Sequence, residues 1–300
     1  DLPPLREPPV VVEPECVLPL EMELGEGPVW SSEEQALWFV DIKGRRLHRW
    51  AEAEGLRSWE APDQTGFLAR IEDGGWIAGV RSGLHRFDPE TGAFRLLTPV
   101  EPERPQNRLN DATVDAQGRL WFGSMDDSEH GDTGALYRWD GSGPPVRMDD
   151  GYGITNGPAI SPDGRRLYHT DTRLRTIFVF DLAGDGLLSN KRVFVTFADG
   201  EGNPDGPVVD AEGCVWTAQF AGWGVRRYSP EGELLAFVRF PCANITKVAF
   251  GGPDLRTVYA TSARLHLTPE QRDGQPLAGG LFRFRSDVPG QTPHAVRLRG

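Results

Sequence analysis

The stretch Asn156-Gly157-Pro158-Ala159-Ile160 recurs in this chain as Asp205-Gly206-Pro207-Val208-Val209 and as Glu26-Gly27-Pro28-Val29-Trp30. Each copy has a different oxygen-bearing residue at its head. A looser copy is Asn110-Asp111-Ala112-Thr113-Val114, and an aromatic follows every head by 11 or 12 residues, at Trp38, Trp121, Tyr168 and Trp216. The heads lie 84, 46 and 49 residues apart. Reading the first interval as two repeats gives a period of about 40–50 residues, the range of propeller blades.

Within each period, short apolar runs alternate with turns such as Ala116-Gln117-Gly118, Ser161-Pro162-Asp163-Gly164 and Asp210-Ala211-Glu212-Gly213, the signature of antiparallel strands. The third unit reads as strands at 111–115, 119–123, 135–140 and 145–148. A second unit without a head is anchored by Trp76–Val80, and a sixth by residues 248–250, 258–261 and 280–284. Helical periodicity of useful length is missing, while 36 Gly and 25 Pro punctuate the chain at strand-and-turn spacing. The expected fold is all-β: a six-bladed β-propeller with four-stranded antiparallel blades, since radial closure leaves only short sheet edges. We expect one propeller domain over 1–300, with residues 1–20 partly an extended N-terminal segment. Either that segment (10–17) or the C-terminal run 294–298 is placed to close the ring. The aromatics Trp38, Trp121, Tyr168, Trp216 and Tyr259 are expected between blades, with no ligand role.

A content of 38% hydrophobic and 25% charged residues supports a packed core. The net charge of -12 opposes phosphate backbones and anionic lipid, so neither nucleic acid nor membrane is an expected partner. Cys16, Cys214 and Cys242 are few and scattered, which suggests reduced thiols in a cytoplasmic protein. The chain lacks both an apolar run near the ~18 residues of a membrane span and a signal-like start. We expect a monomer.

Asn-Gly and Asp-Gly are strong turn formers. Glu26-Gly27 stands in the same register, however, and Glu is a poor turn residue; the pattern also begins a strand rather than joining two. In a propeller that first strand lines the central channel, so the heads would ring one of its mouths. Two carboxylates and an amide suit Ca²⁺, Mg²⁺, Mn²⁺ or Fe²⁺ and leave coordination positions open. His48, His85, His130, His169, His266 and His294 are scattered, with no pair at zinc-ligand spacing. His169 is read as a packed residue.

Gly25-Glu26-Gly27-Pro28, Arg108-Leu109-Asn110-Asp111, Thr155-Asn156-Gly157 and Pro204-Asp205-Gly206 together resemble the regucalcin and gluconolactonase (senescence marker protein) family, in order and spacing, over residues 23–284. Stretches 110–123, 184–195 and 250–257 are similar to bacterial xylonolactonase-type members. The resemblance implies hydrolysis of a sugar lactone, a small-molecule partner, and one divalent metal ion, open among Ca²⁺, Mg²⁺, Mn²⁺, Fe²⁺ and Zn²⁺. It implies Glu26, Asn156 and Asp205 as metal ligands and Arg108 and Asn110 as substrate contacts. Asp205 is the expected general base, with a metal-bound hydroxide as the competing version. A pentonolactone, D-xylonolactone above all, is the expected substrate. The alternatives are a hexonolactone, a non-catalytic calcium-binding protein, and an interaction platform. Ser128 stands where animal members carry a substrate-contacting Glu; Asp126 and Asp127 beside it read as an exposed acidic loop. The insertion at 264–279 reads equally as pocket rim or inert surface loop.

Overall fold

The computed structural model describes residues 12–300. Val10 and Val11 of the extended N-terminal run lie outside the described residues. Six four-stranded antiparallel sheets stand around one axis, which is the β-propeller expected from the repeat. Their innermost strands are Gly25–Ser31, Thr65–Arg70, Asn107–Val114, Thr155–Ile160, Asn203–Val209 and Ile245–Gly251. Each packs against the next, and the last against the first.

The N-terminal side closes the ring. Glu15–Leu18 pairs antiparallel with Leu281–Arg285 as the outer strand of blade six. The C-terminal run joins no sheet and instead crosses the ends of other blades. Gly290 bridges Asp210, Gln291 Nε2 donates to the carbonyls of Ile160 and Val209, and Val296 makes a parallel bridge to Ile71. The outer strands Gly55–Glu60, Ala93–Pro99 and Leu188–Thr196 were not legible in the sequence. They are mostly exposed, so no apolar alternation marks them.

Trp38, Trp121, Tyr168, Trp216 and Tyr259 are all buried on the second strands. Trp38 lies 4.6 Å from Trp76 of blade two, and Trp30 stacks on Tyr259 of blade six at 5.7 Å. These rings fill the space between blades.

A second regularity holds the inner hairpins. Five residues after each head stands Ser31, Asp115, Ser161 or Asp210. In blade three, Asp115 Oδ1 accepts from the Gln117 and Arg119 amides, and Oδ2 accepts from Trp121 Nε1 at 2.9 Å and Arg119 Nε at 2.6 Å. Asp210 does the same in blade five for Trp216 Nε1 and Arg227 Nε, both at 2.9 Å. Blade four carries Tyr168, which has no indole N–H, and there Ser161 only caps the turn at the Arg166 amide. Blade one has Ser31, and Glu34 takes the Trp38 indole. The buried indoles of the second strands thus find acceptors, from the turn residue in blades three and five and from Glu34 in blade one.

Asp210→Ser strands the buried Trp216 indole N–H and removes a carboxylate from the half-buried Arg227, and is expected to cost about 3 kcal/mol, whereas Ser161→Ala, losing an exposed cap, costs about 1 kcal/mol or less. Urea unfolding midpoints check both, and equal losses would show that the indole tether contributes nothing.

Candidate functional site

All six innermost strands break register near their start. The shifts fall between Glu26 and Val29, Thr65 and Leu68, Leu109 and Ala112, Asn156 and Ala159, Pro204 and Pro207, and Ile245 and Lys247. Such a bulge re-aims a side chain that the pleat would otherwise fix. In blades one and four the following Gly accommodates it: Gly27 and Gly157 sit at φ 58° and 89°, where a side chain is strained. Glu26, Arg108, Asn110, Asn156 and Asp205 come together on one pocket of about 310 Å³, joined by Leu24, Met125, Ile154, Thr172 and Phe220. All five polar residues are at most 5% exposed.

The pocket is acidic at its base. Burial first, then the charge of Asp111, pushes the Glu26 carboxyl up to about 7, against the opposing pull of Asp205 and Lys247. Burial, then the charge of Glu26, raises Asp205 well above the carboxylate range. Asp205 Oδ1 is buried and has no hydrogen-bond partner among the described residues. Two carboxylates are thus confined together, one oxygen of the pair unsatisfied, where burial disfavours their charged forms.

The amides are organised in a chain. Asn156 donates through Nδ2 to Thr172 Oγ1 at 2.7 Å and accepts at Oδ1 from Asn110 Nδ2 at 3.2 Å. Asn110 gives its other N–H to the Thr155 carbonyl, and its Oδ1 accepts from Arg108 Nη1 at 2.9 Å. Both amide donors of Asn110 are used within the protein, which leaves its oxygen as the atom with capacity for a ligand. Arg108 Nε bonds Asp127 at 2.8 Å, and Asp127 also takes Lys43 at 2.6 Å and Gln64 at 3.0 Å.

The 126–128 turn is therefore no exposed acidic loop. Burial raises the Asp127 carboxyl, but the Lys43 hydrogen bond and the Arg108 charge outweigh it and hold the group well below the usual range. Asp126 caps its own turn, accepting from Ser128 Oγ and from the Gly131 amide, both at 2.8 Å. The exposed-loop reading of Asp127 fails because nothing in the local sequence announces partners as distant as Lys43 and Arg108. The 264–279 insertion lends Leu265 and His266 to the pocket, and His266 Nε2 meets Glu129 Oε2 at 2.7 Å. It carries a short helix, Pro269–Gly274, opened by a Thr268/Gln271 capping box. His169 is buried against Tyr152 with both ring nitrogens unpartnered, and burial holds it neutral by pushing it down to about 3.

Among the described residues no group of three or more His, Cys, Asp and Glu side chains is arranged to hold a metal. The donor set here is mixed, two carboxylates and an amide oxygen, which is hard-cation chemistry. The unpaired Asp205 oxygen and the carboxylates confined beside it fit a cation.

A propeller whose inner strands converge on buried oxygen donors defines a class of central-channel site. The sequence matches the SMP-30/Gluconolactonase/LRE-like region over residues 24–264, and the chain belongs to that family. A 6-deoxy-6-sulfogluconolactonase of Pseudomonas putida is 37% identical over 92% of this chain and 95% of its own length. An L-arabinolactonase of Azospirillum brasilense is 36% identical over 86% and 87%. The crystal structure of a calcium-binding protein, regucalcin, from Agrobacterium tumefaciens superposes with a TM-score of 0.90 at 30% identity, covering 94% of this chain and 97% of that one.

A carboxyl whose pKa is raised in the folded state binds more protons folded than unfolded, so its contribution to stability is lost as pH rises through the folded value. For Glu26 that window runs from 4.5 to about 7. Under chelation, the melting temperature is expected to fall from pH 5.5 to 8 by several degrees. Asp205→Asn should flatten that slope and melt higher than the native chain at pH 8. Calorimetry with a chelator present checks this; a variant that melts lower at pH 8 would contradict the electrostatic reading.

Proposed function

We propose that this protein hydrolyses a sugar lactone to its aldonic acid with the help of one divalent cation. The observation that carries the reading is the buried Glu26–Asp205 pair with its unsatisfied oxygen, within a pocket bounded by polar groups. The named activities of two relatives support it. Glu26, Asn156 and Asp205 would hold the ion. Bound there, it would polarise the lactone carbonyl and stabilise negative charge growing on its oxygen.

The chain's own residues do the rest. Asp205 is the acceptor for the proton of the attacking water, at the carboxylate oxygen that no protein donor occupies. Arg108 is fixed through Nε and Nη1 by Asp127 and Asn110, so the rest of its guanidinium is oriented toward bound substrate without further ordering cost. Asn110 presents its oxygen to a substrate hydroxyl and steadies Asn156 from the other end. Leu24, Met125, Ile154 and Phe220 form the apolar wall against which a sugar ring lies. A pocket of about 310 Å³ sits at the low end of small-molecule sites, roughly 300–1,000 Å³, which suits a single sugar. We assign a pentonolactone, D-xylonolactone first. A hexonolactone is the second reading, favoured by the sulfogluconolactonase relative.

A pH-stat screen over xylono-, arabinono- and gluconolactones, before and after chelation, tests the proposal. Pentonolactone turnover that disappears on chelation and returns with added cation is the expected result. Turnover indifferent to chelation would remove the ion from the mechanism, and a preference for gluconolactone would select the second reading. Asp205→Asn that still binds the ion should lose about 10²–10⁴ in kcat if Asp205 takes the proton. Unchanged kcat in that variant would assign the base elsewhere.

A further inference from the structure

Two ion pairs join the same two opposite blades, three and six, across the channel. On one side of the heads, Glu129 meets His266, and both line the pocket. On the other, Lys247 Nζ meets Asp111 Oδ1 at 2.7 Å, with side chains 9% and 2% exposed. Asp111 and Lys247 line a separate cavity of about 410 Å³, which holds none of Glu26, Asn156 and Asp205. The Asp111–Lys247 pair lines that cavity and not the pocket, and so stands as a partition behind the heads.

The partition touches the heads from behind. Asp111 Oδ2 accepts from the Gly157 amide at 2.6 Å, next to Asn156. The Lys247 methylenes lie over Gly206, next to Asp205, where a Cβ would meet Lys247 Cγ at 2.6 Å. Glu26, Asp205 and Asp111 are three carboxylates, and Lys247, paired with Asp111, is the one ammonium, whose charge also reaches Glu26. Ionised together, they leave the charge that a single divalent cation cancels. Without the ammonium, the loaded site would keep a surplus negative charge facing the oxyanion of the reaction.

We propose that Lys247 is an internal counter-charge that sets the pocket's affinity for a divalent cation, by neutralising Asp111 and keeping its carboxylate out of the coordination set. Lys247 is thus a positioning residue that tunes the ion's hold without touching substrate. The inference rests on the cation-dependent reading above. It predicts the opposite sign from a purely structural strut. Removing a strut would loosen Asp205 and weaken ion binding; removing a counter-charge strengthens it.

Calorimetric titration of Ca²⁺ and of Mn²⁺ into the chelator-stripped protein separates the two. Lys247→Met is expected to tighten both ions by at least about tenfold, since one unit charge nearby acts strongly on a divalent ion in a poorly screened site. Asp111→Asn should weaken them comparably, the double variant should return near the native Kd, and Lys247→Arg should leave it within about threefold. Lactone turnover in Lys247→Met should show reduced kcat despite tighter ion binding. Weakened or unchanged binding in Lys247→Met overturns the proposal, as does a double variant that binds like Lys247→Met alone. Should Lys247→Met not fold, Asp111→Asn decides: an unchanged Kd there overturns the proposal, and a raised one with native affinity in Lys247→Arg supports it. A native protein that binds neither ion would instead sink the cation-dependent reading itself.

Discussion

Six innermost strands converge on one axis, and whatever each carries at its bulge must fit a channel only a few side chains wide. That constraint governs the rest. A repeat cannot place the same large residue at all six positions, because the six would collide. Blade two carries the small Thr65 in the register of Glu26, and its Gly66 runs so close to blade three that a Cβ there would meet the Asn110 carbonyl oxygen at 2.3 Å. Blade six carries Thr246, whose hydroxyl donates to the Gly25 carbonyl at 2.6 Å. The remaining blades are free to carry Glu26, Asn110, Asn156 and Asp205, and the variation at the heads is what makes a site from a repeat.

Stability and chemistry are placed in different parts of each blade. The second strands hold the aromatic column, and the Asp–indole tethers of blades three and five satisfy what those rings bury. The first strands carry the unfavourable charge. Burying Glu26 beside Asp205 costs stability, and the cost is sustained because packing between blades does not depend on those residues. Functional strain of this kind persists where the surrounding structure over-determines the conformation. Here the surrounding structure is a closed ring, in which no blade can shift its head without displacing both neighbours.

The period, the heads and the aromatic column made the blade count and the inner hairpins legible in the sequence. The position of the heads at the start of the channel strands, and their gathering on one pocket, followed from the same repeat. The outer strands were not legible, because a strand facing solvent needs no apolar alternation. The partition and the rim were also hidden. Lys247 and Asp111 are 136 residues apart, and Glu129 and His266 are 137 apart. Such pairs depend on which blades face each other, and a linear repeat does not express that opposition. Asp111 had a local clue, since it directly follows a head. Lys247 had none, because its blade lacks the head pattern.

The two faces of the ring differ for a reason that begins with strand direction. Every blade enters on its innermost strand and meanders outward, so all six inner strands run the same way along the axis. The starts of those strands, where the bulges lie, must share one mouth, and the heads collect there. At the opposite ends, the carbonyls of Ile160 and Val209 receive Gln291, and Ile71 pairs with Val296. The C-terminal run thus ties blades at the face that carries no heads, while the Asp111–Lys247 pair interrupts the channel between the two. The pocket that gathers Glu26 and Asp205 is lined on the head face by Glu129 and His266. The face on which the heads collect is a consequence of meander topology, fixed before any residue at the mouth is chosen.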